Sequence, residues 1–586
     1  MPLGRFLSAI ERKTATMTAQ QLRDMVLALA RAVEASERPA LLERFGAGPA
    51  RPAEPGEALL ADIEVLEERT GAAGGPGDYD YDDYDDHHDW SYEDEEAEPE
   101  WAPDFADLLR RAGAVFLDGD VHAAAQAYER LFTVAGAAVD DGWYLTEGPG
   151  GDGLERAAAR YMRAVGELGE REGRPARLHS ALSLVLGALA GDGVTYAAVE
   201  GSRAGAPAGR EALLEDWVTA LESFPDGDDL SYDEAAHRLL LEVVEQLEGL
   251  DGLAGLARRG GRRAGRDFLA WFDAALRQGE EAAAVAAGEE GLRALGPGPE
   301  RAALAERMAV VARRAGRTGD ELAARVEAWR SQPCLGRLLR ALGAARRAGA
   351  EAETANELAR SRSPSGVPAP LRAVLLVLGG RLDKALEECR KASAEAAGKR
   401  HLPADVHLAA EVLAPVLLAA GADATRSDGF AGSVTAGLLD SAETLVDRGP
   451  YRAPMLFGPG DGFDDLDDAV AQGEADGPAL GDALVRAIES LDVPAAKRRR
   501  YLDAGATLVQ DAVGRIVGGQ ERRRYHQAAA LAVAHAEAVA ITDGQAAGDA
   551  VAEAAQSRYP RHTAYRSQLV SARARSSLLT SPGLRR

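Results

Sequence analysis

Residues 304–348 read LAERMAVVARRAGRTGDELAARVEAWRSQPCLGRLLRALGAARRA, and the spacing of apolar residues in this stretch decides the fold class. Leu304, Met308, Val311 and Ala315 fall at i, i+4, i+7 and i+11, which is one face of an α-helix. Gly316-Arg317-Thr318-Gly319 interrupts the pattern, because glycine adopts the backbone angles that end a helix. Leu322, Val326 and Trp329 form a second stripe, Gln332-Pro333 stops it, and Leu335, Leu338, Leu339 and Leu342 begin a third. Helices this short cannot bury an apolar stripe alone, so each must stack on its neighbours. The expectation is an all-α chain built as a tetratricopeptide-like α-solenoid of stacked helical hairpins.

Outward from that stretch, the turns set a period. Gly279, Gly316, Gly349 and Gly380 separate apolar stripes at spacings of 37, 33 and 31 residues. These bracket the period of about 34 residues of tetratricopeptide repeats. The clearest unit spans 371–392, with Leu375, Leu378, Gly380, Leu382, Ala385, Cys389 and Ala392 in repeat-like places. An earlier one begins at Phe105 and carries Leu108, Leu109, Val115, Gly119, Ala124, Tyr128 and Leu131. Further helices are expected at 154–169, 176–190, 211–224 and 232–248.

The domain plan follows. Residues 1–45 read as an amino-terminal helical unit, with Thr18 and Gln21 forming a capping box. Residues 46–104 are a linker holding a short helix from Leu59 to Glu68 and an acidic low-complexity tract. Helical repeats occupy 105–260 and tetratricopeptide-like repeats 261–420. A helix and polar loops take 421–478, a basic helical region 479–570, and a frayed tail 571–586. The tract, residues 78–100, holds thirteen Asp or Glu and no Lys or Arg, interleaved with Tyr79, Tyr81, Tyr84, Trp90 and Tyr92. Self-repulsion is expected to leave this insert disordered and extended unless a basic surface receives it.

Composition agrees with close-packed helices: 46% of residues are hydrophobic but only 5% aromatic, so alanine and leucine carry the packing. Five of the 67 basic residues are lysine, a bias that Ala-, Arg- and Gly-rich coding produces without functional cause. The net charge of −27 argues against a whole surface that binds nucleic acid or an anionic membrane. Cys334 and Cys389 sit inside helical stripes and read as apolar fillers in a reducing compartment. With no signal-peptide core and no bilayer-length apolar run, the expected location is cytoplasmic.

Several stretches together resemble one bacterial family. They are DDYDDHHDW (82–90), WAPDFADLLRRAGAVFLDGDVHAAAQAYERLF (101–132), DFLAWFDAALRQG (267–279), RVEAWRSQPCLGRLL (325–339), RIVGGQERRRYHQAA (515–529) and RYPRHTAYRSQL (558–569). Their order is similar to the long helical region that follows the zinc finger in bacterial SWIM zinc-finger proteins, over about residues 10–570. A SWIM finger needs a CxC pair and a later CxH, and two cysteines cannot supply them. The zinc and nucleic-acid roles of the finger therefore do not carry over, and the resemblance implies the helical scaffold alone.

Candidate chemistry is thin. Asp78-x-Asp80-x-Asp82 opens like a calcium loop, but the sixth and twelfth places hold Asp83 and Asp89 where glycine and glutamate are needed. His87 and His88 are adjacent on an extended chain and point to opposite sides, so they do not share one ion. Gly148, Gly150 and Gly153 match the dinucleotide fingerprint as text, without the strand that must deliver it. His237 and His535 lie within helices and read as structural or solvent-facing. Catalytic, cofactor and metal residues are not expected.

From 494 to 586 the chain carries fifteen Arg or Lys against seven acids, densest at Lys497, Arg498, Arg499 and Arg500 and at Arg522, Arg523, Arg524 and Tyr525. These eight are the candidate partner-binding residues. They suit an acidic partner or phosphate, or an intramolecular contact with the 78–100 tract, or they are ordinary solvated helix faces. The leading functional expectation is a non-catalytic scaffold for an unidentified protein or peptide. The alternative is a nucleic-acid-associated regulator in which the acidic tract is autoinhibitory.

Overall fold

The glycine turns set the geometry of the chain. In the computed structural model, which describes residues 55–72, 100–140, 151–168, 171–189, 194–207, 209–224, 230–360, 367–396, 404–447 and 477–580, every regular element among the described residues is a helix. The helix expected over 1–45 and residues 78–99 of the acidic tract lie outside the described residues. No helix among those described is long and apolar enough to cross a membrane. The chain divides into two units, 1–253 and 254–586.

In the first unit, α1 (Pro55–Ala72), α2 (Ala102–Asp118), α3 (Val121–Asp140), α4 (Gly151–Glu167), α5 (Arg174–Ala188), α6 (Tyr196–Gly201) and α7 (Arg210–Glu222) follow in order. Leu59, Ile63 and Leu66 recur at i, i+4 and i+7 and are all buried, so α1 packs its stripe on α2 and α3. The α2–α3 turn closes at Gly119, whose φ of 97° is the left-handed value. Phe132 stacks on Tyr161 at 5.6 Å between ring centres, joining α3 to α4. Helix α8 (Leu230–Arg259) is broken at Gly249, where φ is 63° and ψ −147°.

The second unit contains four consecutive helical pairs. They are α9 (Ala264–Arg277) with α10 (Glu281–Ala294), α11 (Pro299–Arg314) with α12 (Thr318–Ser331), α13 (Leu335–Arg347) with α14 (Glu351–Arg360), and α15 (Ala369–Leu378) with α16 (Leu382–Ala396). Each pair turns at one of the four glycines, with φ of 78°, 69°, 70° and 69° at Gly279, Gly316, Gly349 and Gly380. The hydrogen bonds repeat as well. Each glycine N–H donates three residues back (Gly316 to Arg313, 2.9 Å), and the next N–H donates five back (Arg317 to Ala312, 2.8 Å). This is the Schellman cap, which satisfies two carbonyls the helix end would leave orphaned. A Cβ at Gly279, Gly316 or Gly349 would meet nothing within 4 Å, so the backbone angle, not space, requires glycine there.

Charged residues also run through this core. Arg307 makes two 3.0 Å bonds to Asp273, joining α11 to α9. Glu306 receives Arg325 and, at 3.0 Å, Arg340, tying α11 to α12 and α13. Arg347 bonds Glu321 at 2.5 Å, closing α13 on α12. All of these except Arg347 are buried. Buried guanidinium–carboxylate pairs persist only when each charge is met by hydrogen bonds, and Arg347 adds the two-pronged form, its Nε and Nη2 reaching the two Glu321 oxygens.

Beyond the pairs, α17 (Ala404–Ala422) is apolar over its second half, with Val412, Leu413, Ala414, Val416, Leu417 and Leu418 each at most 2% exposed. It forms the centre of the carboxy-terminal half. Two 3₁₀ turns, α18 (Val434–Asp440), α19 (Ala442–Asp447), α20 (Leu480–Ser490), α21 (Ala495–Gly518), a 3₁₀ turn at Arg522–Arg524, α22 (Tyr525–Asp543), α23 (Gln545–Arg558) and α24 (Thr563–Arg575) complete the chain. Helices α17 and α21 cross closely through Gly421 and Gly505. A Cβ on Gly421 would lie 2.7 Å from Leu502 N and 2.9 Å from Arg498 O. Of the tail expected to fray, residues 571–580 are held instead, with α24 running to Arg575 and Leu579 5% exposed, while 581–586 lie outside the described residues.

Candidate functional site

The eight residues singled out from charge density separate into three environments. The first lies at the start of α21, which Pro494 opens and the Gly421 crossing fixes. Lys497 Nζ bonds Asp383 Oδ2 at 2.7 Å, Tyr501 OH donates to Asp383 Oδ1 at 2.9 Å, and Arg500 stands 3.7 Å from the same oxygen. Arg498 donates to Val493 O at 3.1 Å and pairs with Asp423 at 3.1 Å. Arg499 pairs with Asp503 one turn on, at 3.2 Å. Lys497, with Tyr501 and Arg500, holds the Asp383 carboxyl below the usual carboxylate range despite partial burial. The Tyr501 phenol moves the other way, to about 12, through burial and its bond to Asp383. Between the first turns of α16 and α21 is an open cavity of about 400 Å³ lined by Asp383, Lys384, Asp492, Lys497 and Tyr501.

The second environment is buried. Glu411 on α17 is 1% exposed and receives Arg515 and Arg524, with Gln527 Nε2 at 2.6 Å. Glu521 pairs with both arginines at 3.1 Å. Burial, then Arg515 and Arg524 close by, lower the pKa of His407. Tyr525 belongs to the core: its ring is 4% exposed, meets Tyr565 edge-on at 6.2 Å, and its hydroxyl lies 3.3 Å from His562 Nδ1.

Arg522 and Arg523 make the third. Both are exposed on the 3₁₀ turn, with no ion-pair partner among the described residues. Sequence reasoning named the cations and missed Asp383, Glu411 and Tyr501, because their partners are more than a hundred residues away along the chain. Only the placement of Lys497 and Tyr501 one helical turn apart hinted that they face a common group.

The other sequence candidates fall elsewhere. Asp78 through Asp89, His87 and His88 included, lie outside the described residues, as do Gly148 and Gly150. Gly153 stands in the first turn of α4. His237 is buried in α8, and burial in α22 lowers the pKa of His535. Cys334 and Cys389 are both free thiols. Among the described residues no three His, Cys, Asp or Glu side chains group as metal ligands do. The lowered Asp383 pKa and the raised Tyr501 pKa favour the ionised carboxylate and the neutral phenol that their hydrogen bond joins. Compared with models of known families, with curated proteins and with solved structures, the chain has no match.

Proposed function

We propose that the protein is a non-catalytic α-solenoid scaffold that holds another protein or an extended peptide against its helical pairs. The observation that carries this reading is the fourfold recurrence of one glycine-capped turn at Gly279, Gly316, Gly349 and Gly380, with buried arginine–carboxylate contacts joining the first helical pair to the second and the second to the third. Repeating pairs make a continuous surface whose side chains can be varied without disturbing the turns. The resemblance to the helical region of SWIM proteins points the same way.

The test is native capture with the full chain as bait from cells that make it, followed by cross-linking mass spectrometry. The reading requires a specific partner whose cross-links map to residues 264–396. Repeated capture of nothing above a control bait overturns it. Exposed Arg522 and Arg523 favour a second reading, in which this turn binds nucleic acid. With the acidic tract as its autoinhibitor, that version requires salt-sensitive binding of DNA or RNA by a chain lacking residues 78–100, with a tenfold loss when Arg522→Ala and Arg523→Ala are added to it. No binding at low salt removes it.

A further inference from the structure

The carboxy-terminal segment 576–580, Ser-Ser-Leu-Leu-Thr, is gripped residue by residue in a manner that helix packing does not require. Ser576 Oγ donates to Glu537 Oε1 at 2.6 Å. Glu537 is fully buried, and its other donors are the N–H groups of Val434 (2.8 Å) and Thr435 (2.9 Å) and the Thr435 hydroxyl (2.7 Å). All four donors are neutral, so the carboxylate depends on each of them. Ser577 N–H donates to Gly432 O at 3.3 Å, and its hydroxyl to Gly429 O at 2.6 Å. Leu579 is buried in the core. Thr580 is met at every polar group. Its N–H and hydroxyl reach the two oxygens of Asp549 at 3.1 and 2.6 Å, and its carbonyl accepts from Arg573 Nε at 3.0 Å.

The outer side of the segment is open. Ser577 is exposed and Leu578 half-buried. The backbone leaves the helix at Ser576 with φ −74° and ψ 128°, an extended geometry. A short bent segment, turned by the Leu578 N–H donating to Ser576 Oγ at 3.2 Å, is held here as a bound peptide is, with hydroxyls read by buried carboxylates, one main-chain bond and one buried leucine.

The geometry points to a peptide-recognition groove formed by Gly429–Thr435, Glu537, Asp549 and Arg573, which the chain's own residues 576–580 occupy. Its ligand is a segment able to take the same bend, with a hydroxyl residue first, leucine fourth and threonine or serine fifth. Such a segment in a partner polypeptide competes with the resident one. The carboxylates set this pattern, because a residue without an O–H at the first or fifth place leaves Glu537 or Asp549 short of a donor. This deepens the scaffold reading and rests on it for the partner's existence.

The probe is a fluorescein-labelled peptide with the sequence of residues 574–582, followed by anisotropy. The proteins are the native full chain and a full chain carrying Ser576→Ala, Leu579→Ala and Thr580→Ala to loosen the resident segment. Saturable binding to the loosened chain is expected, at least tenfold weaker with the native chain. It is lost when alanine replaces the serine and threonine at the places of Ser576 and Thr580 in the peptide. Absence of binding to a loosened chain whose helical circular dichroism is unchanged overturns the proposal, as does equal binding to both chains. Should the loosened chain unfold, hydrogen exchange on the native chain decides. Amides of 577–580 exchanging well before those of α22 support a displaceable segment, and exchange at the α22 rate makes it fixed core. Failure here leaves partner capture by the native chain, which tests the scaffold, unaffected.

Discussion

At the scale of the residue, the sign of one backbone angle separates positions that look alike in sequence. Gly349 has φ of 70° and open space around its missing Cβ, so Gly349→Ala brings strain without a clash. The expected cost is about 1 kcal/mol, the penalty of a left-handed L-residue, read as a lowered urea midpoint. The same cap recurs at Gln520, where φ is 58° and the bonds run from Gln520 to Val517 and from Glu521 to Ile516. Glutamine there is strained, so Gln520→Gly is expected to stabilise by about 0.5 kcal/mol, the relief of strain less the flexibility of glycine. The first set of turns was legible because glycine between apolar stripes has a local meaning. Gln520 was not, because nothing in its identity announces a left-handed angle.

At the scale of the element, the buried charges decide how helices meet. Glu306, Arg325 and Arg340 sit on three successive helices with almost no exposure, whereas sequence reasoning places charge on solvated faces. Glu306→Leu takes away the carboxylate that both arginines share and is expected to cost about 3–5 kcal/mol. Replacing all three together by Met or Leu restores stability to near the native value, since packed apolar residues avoid the desolvation that the ions suffer. Denaturant titration of the single and triple variants checks both. The α17–α21 crossing is as unforgiving: Gly421→Ala pushes a methyl against backbone atoms and is expected to destabilise by about 1–3 kcal/mol. Tyr525 shows the limit of reading by neighbours. Three arginines before it suggested a surface aromatic, yet the following helix turns its ring inward, because burial follows the α22 face and not the preceding charge.

At the scale of the whole molecule, stability carries a pH dependence set by two half-buried imidazoles. Burial lowers the pKa of His535 below 6.5, and burial with Arg515 and Arg524 does the same for His407. The unfolded chain then binds more protons than the folded one below pH 6.5, so this contribution is full above that value and lost as pH falls through the depressed pKa values. The urea midpoint is expected to fall between pH 7.5 and 5, and less steeply in a His407→Gln, His535→Gln chain. The depressed Asp383 carboxyl acts lower, its contribution vanishing as pH drops below the ordinary aspartate range of about 4. Helical class and the positions of most helices were readable at this scale, because periodicity is local. What holds the end of the chain was not: Ser576 to Thr580 have no period, and their partners at Gly429, Glu537 and Asp549 lie well back in the chain.

The linked arginines and acids also give the helical pairs an address. The four turns are interchangeable in form, and Arg307 and Arg340 each stand nine residues before their turn glycines (316 − 307 and 349 − 340). Their acids do not match: Asp273 stands six before Gly279 (279 − 273) and Glu306 ten before Gly316 (316 − 306). A pair duplicated, deleted or moved would keep its hairpin yet set a buried ion opposite an alkyl wall. Gene rearrangement within residues 264–360 is therefore policed by electrostatics, and the order of the pairs is written in their charges.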